Sequence, residues 1–151
     1  MKHLNIYIIS LFLLIISCNS VPTTLIHSFE QQTWNFKEGV EFEFSIEEPG
    51  FFDLELFFQN TLDYPYRNIY LLIQTYHNNT LLRYDTLQYP ITDKYGKWLG
   101  GGIGKNKNNY FLEEKRNFKN AGKYKIMITH GMRENPLAGT NKIGLKIIDS
   151  E

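Results

Sequence analysis

With 151 residues, 42% of them hydrophobic and 21% charged, the chain has the size and composition of one globular domain rather than of a disordered or fibrous polymer. Sixteen Lys and Arg balance sixteen Asp and Glu, so no net field draws in nucleic acid or an anionic surface. A single Cys excludes a disulfide framework and a cysteine-rich zinc site.

The first element is MKHLNIYIISLFLLIISC, in which Lys2 and His3 precede an apolar run from Ile6 to Ile16 that ends in Ser17 and Cys18. A helix of about eleven residues rises roughly 16 Å, well short of a roughly 30 Å hydrocarbon core, so the run reads as a cleaved secretion signal over residues 1–17. Its end resembles a bacterial lipobox, with cleavage before Cys18 and a diacylglyceryl group on the thiol; an ordinary signal peptide with a chance Cys is the alternative. Acyl chains on one cysteine meet the need for more than one lipid signal in stable anchoring. Asn19-Ser20-Val21-Pro22-Thr23-Thr24 follows, with no Asp beside Cys18 and no acidic cluster. That resembles an outer-membrane lipoprotein facing the periplasm, with residues 18–25 as lipidated N-terminus and tether.

Residues 26–151 then read as one β domain. Val40, Phe42, Phe44 and Ile46 alternate with Glu41, Glu43 and Ser45, the period of a strand with one face on a core. Strand-like runs recur at Phe51 to Phe58, Ile69 to Tyr76, Leu81 to Gln88, Tyr110 to Phe118, Lys123 to His130 and Ile143 to Asp149, after a weaker one at Leu25 to Phe29. Between them stand Glu48-Pro49-Gly50, Asp63-Tyr64-Pro65, His77-Asn78-Asn79, Asp93 to Gly104, Asn120-Ala121-Gly122 and Asn135 to Asn141, all turn chemistry. About eight strands without interleaved helices predict a single antiparallel β-sandwich of jelly-roll or immunoglobulin type, with a barrel as the alternative. Residues 18–92 carry net charge −7 and residues 93–151 carry +6, which adjacent strands would partly neutralise.

Motifs for chemistry mostly fail. The run Gly100-Gly101-Gly102-Ile103-Gly104-Lys105 lacks the spacing of a phosphate loop: Leu99 and Asn106 stand where Gly and a hydroxyl residue are needed. It reads as a loop with positive-φ residues. His27, His77 and His130 lie about fifty residues apart and predict no metal. Glu41 and Glu43 share a strand face about 7 Å apart, within the carboxyl separation of inverting glycosidases, but alternation makes that face solvated. No nucleophile arrangement is present, so no enzyme and no cofactor beyond the lipid on Cys18 is expected. Nine basic residues interleave with aromatics between Lys94 and Lys125, yet export removes nucleic acid as a ligand. Saccharide stacking on Trp34, Trp98 and surface tyrosines stays open.

Several spaced phrases resemble the GldH family, gliding-motility lipoproteins of Bacteroidetes. They are Asn60-x-x-Asp63-Tyr64-Pro65-Tyr66-Arg67-Asn68-Ile69-Tyr70-Leu71; Asp85-Thr86-Leu87-x-Tyr89-Pro90-Ile91-x-Asp93; and Gly96-Lys97-Trp98-Leu99-Gly100 with Gly102 and Gly104. The tail adds Gly122-x-Tyr124, Met132-Arg133, Leu137-x-Gly139 and Ile143-Gly144-Leu145-Lys146-Ile147, and the Phe29 to Trp34 segment also fits. Gly101 lengthens the glycine run, and His130-Gly131 stands where bulkier residues are expected.

Physically the phrases are architectural first. Pro65 biases Tyr64 toward extended geometry, Asp63 is placed to accept from turn N–H groups, and Arg67 is placed to fork onto a carboxylate. The resemblance implies a lipoprotein of gliding and of the secretion machinery associated with it, with other envelope proteins as partners and no enzyme activity. Tyr64, Tyr66, Arg67, Trp98 and Arg133 are the candidate partner- or ligand-binding residues. A lipid-anchored carbohydrate- or peptidoglycan-binding module is the alternative, and it requires exposed tryptophans.

Overall fold

A strand with alternating apolar and polar side chains buries one face only when a second sheet covers it. The computed structural model, which describes residues 23–104 and 106–150, meets that need with ten strands. They are β1 (Thr23–Ser28), β2 (Thr33–Trp34), β3 (Val40–Ile46), β4 (Gly50–Asn60), β5 (Asn68–His77), β6 (Thr80–Pro90), β7 (Lys107–Phe118), β8 (Gly122–His130), β9 (Leu137–Ala138) and β10 (Thr140–Asp149). Among the described residues the helical content is one 3-10 turn, Glu30–Gln32. The signal segment and Cys18 lie outside the described residues.

The strands form one sheet in the order β1-β10-β4-β7, a second in the order β3-β8-β5-β6, and a small β2-β9 ribbon, with every pairing antiparallel. Each large sheet keeps two edges, so the architecture is a sandwich and not a closed barrel. The eight expected strands are all present. The extra pair, β2 and β9, is two residues long on each side, too short to show a period in sequence. β1 opens at Thr23, inside the stretch expected to act as tether, because Thr23 pairs with Ile147 across β10.

The core follows the alternation. Val40, Phe42 and Ile46 of β3, Ile126 and Ile128 of β8, and Ile69, Leu71 and Ile73 of β5 face Leu54, Leu56 and Phe58 of β4 and Ile143, Leu145 and Ile147 of β10. Each such side chain contributes about 1.5–3 kcal/mol relative to exposure. Glu41 and Glu43 sit on the outer face, where Lys125 of the neighbouring β8 pairs with Glu41 at 3.1 Å. That pair joins the acidic first half of the sequence to the basic second half.

Side chains close the β6/β7 flank between the sheets. Tyr89 and Phe111 stack with centroids 4.0 Å apart, Arg83 reaches Glu113 at 3.0 Å, and Arg116 donates to Thr75 at 2.9 Å.

Topology gives the sandwich two unlike ends. At one end lie the start of β1, the end of β10 and three short connections, residues 47–49, 78–79 and 119–121. At the other lie four longer connections, residues 29–39, 61–67, 91–106 and 131–139, the first and last of which hold the β2-β9 ribbon.

Candidate functional site

The long-loop end collects every residue that the sequence marks for binding. Tyr64, Tyr66 and Arg67 lie in the 61–67 connection, Trp98 in 91–106, and Arg133 in 131–139. Their roles differ once their surroundings are known.

Tyr64 is a core residue, only 3% exposed, which corrects its assignment as a contact for partners. Its ring meets Phe58 edge-to-face at 5.8 Å, its hydroxyl donates to the Asn68 carbonyl at 2.9 Å, and burial pushes its phenol well above the ordinary range. Tyr66 is half-buried, its ring edge-to-face with that of Tyr64 at 6.0 Å. Its hydroxyl donates to Glu134 at 3.1 Å, tying the 61–67 connection to the 131–139 connection, and this hydrogen bond raises its phenol pKa. Arg67 does not fork onto a carboxylate. Its guanidinium reaches the Lys94 carbonyl at 3.5 Å, and its own carbonyl accepts from Ile91 at 2.9 Å and Thr92 at 3.1 Å. Arg133 is exposed beside Glu134.

The 91–106 connection is built by Asp93, which does the work expected of Asp63. Its carboxylate accepts from the Tyr95 amide at 2.8 Å and the Lys97 amide at 2.9 Å, an Asx turn that returns Trp98 to pair with Thr92. Trp98 is half-buried against the core. The glycine run is explained by close approach more than by positive φ. A Cβ on Gly100 would stand 2.5 Å from the Asn108 carbonyl, one on Gly102 would collide with the Asn106 carbonyl, and only Gly104 of the run has φ in the left-handed region. The loop thus folds back on the start of β7 and borders an open cleft of about 500 Å³ lined by Pro90, Leu99, Gly101, Asn108, Tyr110 and Phe111.

Sequence reading missed an amide network beneath these loops. Asn109 donates to Asn60 at 2.9 Å and to the Phe58 carbonyl at 3.2 Å, and Asn60 donates to the Thr61 carbonyl at 2.8 Å. Gln59 donates to Asn108 at 2.6 Å and accepts from Asn141. The available signal was the Asn108-Asn109 pair at the head of an otherwise alternating strand. It also missed His130, which continues the inward series Tyr124, Ile126, Ile128. That ring is 2% exposed, contacts the Trp34 carbonyl through Nε2 at 3.0 Å, and leaves Nδ1 without a hydrogen-bond partner. Burial lowers its pKa, against the Trp34 carbonyl, which favours the charged form.

Trp34 is fully buried, stacked on Phe29 at 4.7 Å with its indole N–H donating to the Glu38 carbonyl at 3.0 Å. It therefore packs the interior and offers no face to a saccharide. Among the described residues no three His, Cys, Asp or Glu side chains gather as a metal site. What the loop end presents is exposed Leu62, Tyr95, Leu99 and Ile103 mixed with exposed Arg67, Lys94, Lys97 and Arg133.

Comparison with known proteins supplies the lineage. A family profile described as GldH lipoprotein matches residues 23–147. The gliding motility lipoprotein GldH homolog of Christiangramia forsetii is 32% identical over 127 residues, covering 78% of each chain. Among solved structures, the infectious bursal disease virus VP2 subviral particle is similar over 86% of this chain and 34% of its own, at 11% identity and a TM-score of 0.32. The Gx strain of that virus matches over 87% of this chain and 37% of its own, at 10% identity and a TM-score of 0.20. The match spans the whole sandwich from the first residue of β1 to within two residues of the end of β10, and the chain belongs to the GldH lipoprotein family.

Proposed function

We propose that the chain is a lipid-anchored, non-enzymatic accessory of the gliding machinery and of the secretion machinery associated with it. Cys18 carries the lipid, the outer membrane holds it, and the sandwich faces the periplasm. The observation that carries this reading is the family match over residues 23–147, with a relative whose own name is that of a gliding motility lipoprotein.

Fold polarity supports a docking role. The sandwich puts its short turns at the end where β1 begins at Thr23 and its four long connections at the other, the end left free for other envelope proteins when Cys18 carries the anchor. Tyr66, Arg67, Trp98 and Arg133 stand there as the contact residues, with amphipathic and charged character typical of protein interfaces.

Crosslinking of intact cells, followed by identification of proteins captured with the epitope-tagged chain, tests this, with Cys18→Ser as the control. Anchor-dependent capture of motility or secretion components is expected. Recovery of glycan or peptidoglycan fragments without protein neighbours would overturn the accessory reading.

A further inference from the structure

Strand register lays one apolar row across the full width of the β1-β10-β4-β7 sheet. Ile26 pairs with Gly144, Gly144 with Phe57, and Phe57 with Tyr110, so the row crosses all four strands in turn. These positions alternate with the core residues Leu25, Leu145, Leu56 and Phe111 and so face outward. At about 4.8 Å between strands the row is about 14 Å long. Gly144 keeps it level: a Cβ there would stand 3.2 Å from the Ile26 side chain and 3.5 Å from the Phe57 ring, whose centroid lies 5.3 Å from that of Tyr110. Leu112 and Phe51 extend the surface toward the short-turn end, and Ile26, Phe51, Tyr110 and Leu112 each expose between 52% and 60% of their area. The outer face of the opposite sheet carries Glu41, Glu43, Lys123 and Lys125 across β3 and β8, with exposed Tyr70 and Tyr84 apart from one another on β5 and β6.

We propose that this apolar face lies on the bilayer that holds the anchor, so the sandwich rests on one sheet rather than standing on its end. The proposal rests on the reading of Cys18 as lipidated. Five residue steps separate Cys18 from Thr23, at most about 18 Å of extended chain. Thr23 begins the edge strand of this same sheet. Tyr110, the far end of the row, lies three strands across and three residues along from Thr23, again about 18 Å. A tether of that reach lets a lipid on Cys18 enter a bilayer lying against the outer face of this sheet. Tyr110 suits headgroup depth, while Ile26, Leu112 and Phe51 suit the acyl boundary. Lys142 and Lys146 on this face are offset by Asp53 and Glu55, so contact forms on zwitterionic as well as anionic lipid.

Because Cys18 is the only cysteine and its thiol is taken by lipid, an introduced cysteine is the one free thiol for labelling. Full-length lipoprotein carrying Tyr110→Cys, Leu82→Cys or Ile103→Cys is reconstituted in phosphatidylcholine nanodiscs, labelled with an environment-sensitive fluorophore and quenched with headgroup nitroxide lipid. Expected is quenching at position 110 several-fold stronger than at 82, on the β6 hairpin tip, or at 103, in the far loop. Leu112→Cys repeats the measurement should the first variant misfold. Strongest quenching at 82 overturns the proposal in favour of an end-on body, and equal weak quenching at all positions overturns it in favour of a body held off the surface. The intact mass of the same samples reports the lipid on Cys18: a bare thiol would sink the lipoprotein reading itself, whereas a lipidated chain without quenching at 110 sinks only the orientation.

Discussion

Gly139 lies against the backbone of Tyr64, so that a Cβ at position 139 would stand 2.5 Å from the Tyr64 Cα. Its φ of +73° is in the left-handed region, and its carbonyl accepts from the Thr61 amide at 2.8 Å. Two of the phrases that carry the sequence resemblance, Asp63-Tyr64-Pro65-Tyr66 and Leu137-x-Gly139, are therefore the two sides of one contact. This contact seats the 61–67 connection on the strand pair below it.

Gly139→Ala is accordingly expected to destabilise the sandwich by about 2 kcal/mol or more, since the positive φ alone costs about 1–2 kcal/mol and the Cβ meets backbone that cannot step aside. Thermal unfolding should show a Tm lower by roughly 6–10 °C. Gly101→Ala is the control, because a Cβ there meets nothing within 4 Å. Equal Tm values for the two variants would refute this account of Gly139.

His130 should make stability fall on acidification. Its folded-state pKa is lowered by burial, so below the ordinary value of about 6.5 the unfolded chain takes up the proton first, and unfolding gains up to about 1.4 kcal/mol per pH unit until the folded-state pKa is reached. Urea titrations at pH 7.5 and 5.5 of the native chain and of His130→Phe measure the difference. The variant is expected to be less stable at pH 7.5, having left the Trp34 carbonyl unpaired, yet to lose less on going to pH 5.5. An unchanged pH response would show that His130 is not the group responsible.

The residues explain which parts of this structure were legible beforehand. β3 and β8 announce themselves because each alternates strictly between core and solvent, and the period of two has no competing reading. β1 does not, since as an edge strand it tucks only Leu25 partly inward and its first residues resemble a polar linker. The β2-β9 ribbon is invisible at two residues per strand. At the loop end the sequence marked segments that the fold gathers together, but not which of their side chains turn inward. Tyr64 and Trp34 look like surface aromatics until Gly139 and His130, each about 75–100 residues later, are packed against them. Likewise Asp93 and Asp63 both sit in turn-forming sequence, and only the fold decides that Asp93 binds the amides. Pairings of this kind depend on contacts distant in sequence, which periodicity does not encode.

Two arginines on the β6/β7 flank are expected to behave differently although they share Glu113. Arg116 is largely buried, with 9% of its side chain exposed, and bonds both Glu113 at 3.1 Å and Thr75 at 2.9 Å. Arg83 is 45% exposed and pairs with Asp85 and Glu113 in water. Arg116→Ala should cost about 1–3 kcal/mol, whereas Arg83→Ala should cost less than about 1 kcal/mol. Urea unfolding of the single and double variants gives the coupling through Glu113, and a larger loss for Arg83→Ala would contradict this burial-based ranking.

The docking role predicts a separation between stability and capture. Arg67 and Arg133 are exposed and make little contact with the body: Arg67 has one long bond, to the Lys94 carbonyl, and Arg133 sits beside a Glu134 already engaged by Tyr66. Replacing both with Ala should leave Tm within about 2 °C, as surface substitutions do. If the long-loop end holds envelope partners, the double variant should lose several-fold in anchor-dependent crosslinked capture, because arginine is enriched among the few interface residues whose truncation costs more than about 1 kcal/mol. The same substitution should leave membrane fractionation unchanged, since the proposed anchor, Cys18, precedes Thr23, which opens β1 at the opposite end of the sandwich. Undiminished capture at native Tm would move the partner surface elsewhere on the fold. The cleft between the glycine loop and β7, with Leu99→Ala as its variant, is the next surface to probe.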